Sequence, residues 1–148
     1  MTSTKRFSII KPTINTPFQI DFDWWKLHDN NWRVHLKSCL CEEHQEVFEN
    51  IDNKATIDWI DPVSAEVQTV DGLQHILMTH CAKQPEFITS FTTLVDTIFR
   101  IFLANGNSPT SPEDLANLTG RTPQMILRTF AGAIVYKGIR PCVKTSAR

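Results

Sequence analysis

The sequence predicts a mainly α-helical protein: an N-terminal helical region carrying one β-hairpin, followed by a C-terminal module of three helices and two short strands. Three observations predict it. Apolar residues recur at helical spacing along most of the chain, Asp, Ser and Thr stand where such stretches begin, and the stretch from Ile57 to Val70 breaks that spacing around turn residues.

The chain has 148 residues, enough for one domain or for two small units sharing a core. Its 41% hydrophobic content excludes wholesale disorder. No apolar run approaches the roughly 20 residues of a membrane-spanning helix, so no membrane contact is expected. The first residues, MTSTKRFSIIKPTINTPFQI, lack the apolar core and cleavage site of a secretory signal and read as an N-terminal arm over 1–20. A cytoplasmic location follows as the expectation, with Cys39, Cys41, Cys81 and Cys142 as thiols or metal ligands.

The second unit, 21–88, opens at Asp21 or Asp23, either of which can cap a short helix carrying Trp24 and Trp25. Asp29 can cap the next helix, with Trp32, Leu36 and Leu40 at helical spacing, and CEEHQEVFEN extends it with an acidic outer face. Ile57, Trp59, Val67 and Val70 flank Asp61-Pro62-Val63-Ser64, which has the chemistry of a hairpin turn. Asp71 then caps a helix with Leu73, Ile76 and Leu77 on one face, closed by Pro85. The tryptophans, Trp59 included, sit among apolar neighbours as core residues.

The third unit, 89–148, is more regularly punctuated. Leu94, Val95, Ile98, Phe99, Phe102 and Leu103 form the stripe of a buried helix stopped by Asn105-Gly106-Asn107. Ser111 and Pro112 start a second helix that turns Leu115 and Leu118 inward and ends at Gly120; Thr122 and Pro123 start a third, with Ile126, Leu127 and Phe130 apolar. Ile134 to Tyr136 and Ile139 to Cys142 read as strands about a Lys137-Gly138 turn, and Pro141, which has no amide to donate, confines the second to an edge.

Leu115-Ala116, Gly120 and Ile126 resemble the winged helix-turn-helix family over Thr92 to Val143. Ala116 lets the helices cross closely, Gly120 permits the sharp turn, and Ile126 seats the third helix. Pro123 departs from the pattern by removing one backbone donor. The resemblance implies a recognition helix in the DNA major groove, with Gln124, Met125 and Arg128 towards base edges and Arg121, Thr122, Lys137 and Arg140 near phosphates. Charge agrees: from Leu115 onward the cations Arg121, Arg128, Lys137, Arg140, Lys144 and Arg148 meet no Asp or Glu, whereas Cys41 to Asp71 is acidic apart from Lys54.

A second constellation lies in the middle of the chain. Cys41 and His44 are one helical turn apart, and His80 and Cys81 follow beyond the hairpin, so the four can converge on a structural zinc ion. Cys39 and His75 are spare ligands. Buried thiols and hydrogen-bonded imidazoles account for the same residues without metal. Adjacent His80 and Cys81 can share one ion only across a bent backbone.

Three functions are thereby weighed. The first is a small DNA-binding protein, such as a transcriptional regulator, using the winged helix; the second is a protein-protein interaction module of a larger assembly. The third, a metal-dependent enzyme, lacks an oxyanion hole or orienting group beside any Cys/His pair, so no catalytic residue is assigned.

Overall fold

The computed structural model describes residues 11–49, 56–60, 67–89 and 92–142; at 47–49, 56–60 and 67–70 it describes the backbone alone. Seven α-helices, one 3-10 turn and two antiparallel strand pairs lie among these residues.

Strand β1 (Phe18–Ile20) leads into α1 (Phe22–His28), whose first turn is capped by Asp21 accepting from the Trp24 amide at 3.1 Å. Asp29 does not cap the next helix. Its carboxylate accepts instead from Trp25 Nε1 at 3.0 Å and from the Asn31 amide at 2.8 Å, which closes α1. Helix α2 (Trp32–Ser38) and helix α3 (Glu42–Glu49) are separate, where the sequence pattern suggests one. Burial of Cys39 and Leu40 bends the chain between them, and the Cys41 carbonyl receives the Gln45 amide at 2.9 Å to begin α3.

The expected hairpin is present as β2 (Thr56–Ile60) and β3 (Val67–Asp71), with Ile57 opposite Val70. Its turn, Asp61 to Ser64, lies outside the described residues. Asp71 ends β3 and caps α4 (Gly72–Thr79) by accepting from the Gln74 amide at 3.0 Å, and the 3-10 turn Cys81–Lys83 follows.

In the C-terminal part, α5 (Leu94–Ala104) buries Ile98, Phe99, Phe102 and Leu103. Helix α6 (Pro112–Thr119) is capped by Ser111 and ended by Gly120 at φ +76°, a left-handed conformation that costs glycine little. Helix α7 (Pro123–Phe130) follows at once, capped by Thr122. Leu118 does not point inward; it is 65% exposed. At 100° per residue the buried Pro112, Leu115 and Ala116 set the inner face, and Leu118 falls about 110° away from its centre.

The wing is the larger correction. Lys137 (φ 51°) and Gly138 (φ 75°) do form a turn, closed by the Ile139 amide on the Tyr136 carbonyl at 3.0 Å. Yet Ile134 to Tyr136 pair with nothing in a sheet; β4 (Ile139–Pro141) pairs antiparallel with β1 instead, Ile20 opposite Ile139. The cause is burial: Phe18, Ile20 and Ile139 enter the core together, and a Cβ on Gly138 would stand 2.6 Å from that of Trp25, so the turn is seated on α1. The segment expected to be an arm thus ends in a core strand.

Helices on both sides of the Lys83 to Phe87 loop feed one buried cluster, from Trp25, Leu36, Leu73 and Leu77 to Phe99, Leu115 and Ile126. Trp25 meets Phe99 edge to face at 5.3 Å. Trp24 and Trp32 lie partly buried against the cluster, and the Trp59 side chain is outside the described residues.

Candidate metal centre and the exposed helix face

The break between α2 and α3 places Cys41 at the start of α3, one turn before His44. The end of α4 places the other pair: His80 leaves helical geometry (φ −123°, ψ −62°), which lets it and Cys81 turn to the same side. One ligand atom from each of Cys41, His44, His80 and Cys81 lies within 4.8 Å of all the others. Cys41 Sγ is 3.1 Å from His44 Nδ1, 3.4 Å from Cys81 Sγ and 3.7 Å from His80 Nδ1, and Cys81 Sγ is 3.7 Å from His44 Nδ1.

These separations can be set against what zinc requires. A tetrahedral ion with bonds near 2.0–2.3 Å spans ligand pairs about 3.3–3.8 Å apart, and these four separations scatter around that range. Two sulfurs and two imidazole nitrogens are also the donor set that selects zinc over harder cations. The geometry is consistent with a structural zinc site. Cys39 and His75, the spare ligands, stand outside the cluster.

Burial shapes the site's chemistry. Cys81 is fully buried and His44, His80 and Cys41 are partly so, beside the apolar Leu40, Leu77 and Ala82. Burial pushes the Cys81 thiol up to about 11, with the neighbouring Cys41 sulfur adding to the rise. Burial likewise raises Cys39. A metal entering the cluster must therefore displace the Cys81 proton at neutral pH. Arg33 of α2 forms an ion pair with Asp71 at the start of α4, a second tie between the same two stretches of chain. Nothing in the sequence announces that pair, because its members lie far apart and neither belongs to a motif.

The residues assigned to nucleic acid divide into two groups. Arg121, Thr122, Gln124, Met125 and Arg128 are exposed, and Gln124, Met125 and Arg128 share the outer face of α7 opposite the buried Ile126 and Phe130. Thr122 is also the cap of that helix. Lys137 and Arg140 have partners within the chain: Lys137 pairs with Asp96 at 3.4 Å over the Phe99 ring, and Arg140 pairs with Asp21 at 3.1 Å over the Trp24 ring. The acid-free C-terminal sequence finds its carboxylates on α5 and ahead of α1. Local charge counting could not show this, because the partners lie 41 and 119 residues earlier in the chain.

Compared with protein-family models, curated proteins and solved structures, the chain matches none of them. Among the described residues no helix is long and apolar enough to cross a membrane.

Proposed function

We propose that this chain is an interaction module of a larger assembly, a helical unit braced by a structural zinc ion that works by presenting a surface. The observation behind this reading is the convergence of Cys41, His44, His80 and Cys81 within 4.8 Å. Four protein donors fill a tetrahedral ion and leave no position for water or substrate, whereas a catalytic zinc keeps one open. On this reading the ion orders the chain and performs no reaction. The surface offered is the outer face of α7, where exposed Met125 and Arg128 lie one helical turn apart with no carboxylate on the same helix.

Metal analysis of protein purified without chelators should return about one zinc per chain. Affinity capture from the source cells should recover a defined partner with the wild type and lose it with the Met125→Glu, Arg128→Glu double variant. Metal-free protein, or identical captures from both, overturns the proposal.

A DNA-binding regulator is the second reading, favoured by one observation: α6, the Gly120 turn and α7 keep the helix-turn-helix order, with Arg121, Gln124 and Arg128 outward. The internal pairing of Lys137 and Arg140 weakens it, since two of the four expected basic contacts are engaged within the chain. Titration of labelled duplex DNA at several salt concentrations separates the readings. A steep salt dependence that falls by about one unit for each of Arg121→Ala and Arg128→Ala supports DNA. Flat titrations at low salt leave the protein partner.

A further inference from the structure

The two sulfurs of the cluster differ in access while lying side by side. Cys41 is partly exposed and Cys81 is fully buried, yet their Sγ atoms are 3.4 Å apart. A disulfide needs about 2 Å, so a small approach of the side chains joins them. Cys39 is buried outside the cluster, and Cys142, also outside it, hydrogen-bonds Gln19 Oε1.

We propose that Cys41 is a site of oxidation by hydroperoxides and that Cys81 resolves it, replacing the metal staple by a disulfide. This deepens the zinc reading and rests on it for the metal-release step. Zinc holds both sulfurs as thiolates. The Cys41 thiolate attacks hydrogen peroxide, forming an S–O bond as the O–O bond breaks, which gives a sulfenic acid and hydroxide. The Cys81 thiolate then attacks the Cys41 sulfur, forming the S–S bond and expelling a second hydroxide. Two protons from solvent convert the hydroxides to water. The two thiolates have lost two electrons to one peroxide. With both sulfur donors consumed, the two imidazoles no longer hold the ion and zinc leaves. The chain between the ligand pairs stays closed at its base, now by a covalent bond.

Full-length, zinc-loaded protein treated with a few equivalents of hydrogen peroxide provides the test, with released zinc followed by a colorimetric chelator and disulfides mapped by mass spectrometry. Zinc release should run in step with loss of two of the four thiols and appearance of a Cys41–Cys81 crosslink. Dithiothreitol followed by zinc should restore the starting protein. Dimedone added during the reaction should label Cys41 ahead of Cys39, Cys81 and Cys142, and this measurement needs no variant. In a Cys81→Ser variant that remains folded, the Cys41 adduct should persist. A crosslink involving Cys39 or Cys142, or a Cys41 that reacts no faster than Cys142, overturns the proposal. If the reduced protein holds no zinc, the staple reading fails by itself, and the Cys41–Cys81 crosslink is then sought in the same metal-free protein. Its presence keeps the oxidation chemistry, and its absence removes both.

Discussion

Between Cys41 and Cys81 the chain makes short helices and a two-stranded hairpin; a ligand cluster ties the ends of this stretch, and Arg33 of α2 pairs with Asp71 where the hairpin meets α4. From Thr93 to Phe130 it makes three capped helices around a continuous apolar stripe, with no comparable cluster among the described residues. The contrast is one of cohesion. A small hairpin buries too little surface to hold itself and relies on point ties, whereas α5 supplies its neighbours with five large side chains withdrawn from water. The two regions should therefore fail under different insults.

Metal removal is the largest expected effect, and it should fall on one region. A strong chelator should abolish amide-exchange protection in β2, β3 and α4 while α5 to α7 stay protected, since structural zinc contributes roughly 10 kcal/mol or more to small metal-dependent folds. The same site predicts a pH dependence. Cys81, pushed up to about 11, carries its proton at neutral pH, so binding releases that proton and apparent zinc affinity should strengthen as pH rises from about 6 to 8. A competition titration across that range reads the sign. Protection lost evenly over both regions would mean that they do not differ as argued.

The converse experiment strikes the other region. Phe99 is fully buried on α5 and touches Trp25. Phe99→Ala should cost about 3–5 kcal/mol in denaturant unfolding of the zinc-loaded protein. Because Trp25 belongs to the same buried cluster, the loss should reach α1 as well as α6 and α7. A cost below about 1 kcal/mol would show that the stripe is not the centre of the core.

What could be read in the sequence follows the same division. Caps are local, since Asp21, Asp71, Ser111 and Thr122 each bond an amide three residues on, so composition alone locates them. The ligand cluster was also readable, because Cys41 and His44 carry helical spacing and thiol and imidazole are scarce, informative groups. The pairing of β1 with β4 was not readable. It joins Phe18 to Pro141, and a strand-turn-strand pattern near Lys137 gave a closer partner that local rules prefer. The ion pairs of Lys137 and Arg140 were unreadable for the same reason, since Asp96 and Asp21 come from distant parts of the chain. Features set by neighbours in sequence were legible; those set by which distant apolar surfaces meet were not.

A smaller effect is expected at the cap of α6. Ser111 accepts from the Asp114 amide at 3.2 Å, and Ser111→Ala leaves that amide without its side-chain partner. The expected loss is about 1 kcal/mol. Thermal unfolding should show a fall of several degrees with the zinc content unchanged, since the cap lies away from the ligand cluster. Zinc loss in this variant would tie the two regions more tightly than their separate means of cohesion suggest.

The smallest stability effect separates periodicity from packing within α6. Leu115 and Leu118 lie three residues apart, and the sequence pattern turns both inward, but Leu115 is buried and Leu118 is exposed. Leu115→Ala should therefore cost about 2–5 kcal/mol, as a core truncation next to Ala116 and Ile126 does. Leu118→Gln should stay within about 0.5 kcal/mol of the wild type, because no buried contact is removed. Urea unfolding of both variants measures the difference directly. If Leu118→Gln costs as much as Leu115→Ala, α6 is rotated from the orientation described, and the outward face of α6 must be redrawn. A neutral Leu118→Gln that also loses partner capture would instead extend the proposed docking surface from α7 onto α6, since loss of binding without loss of stability marks a contact made to something outside the chain.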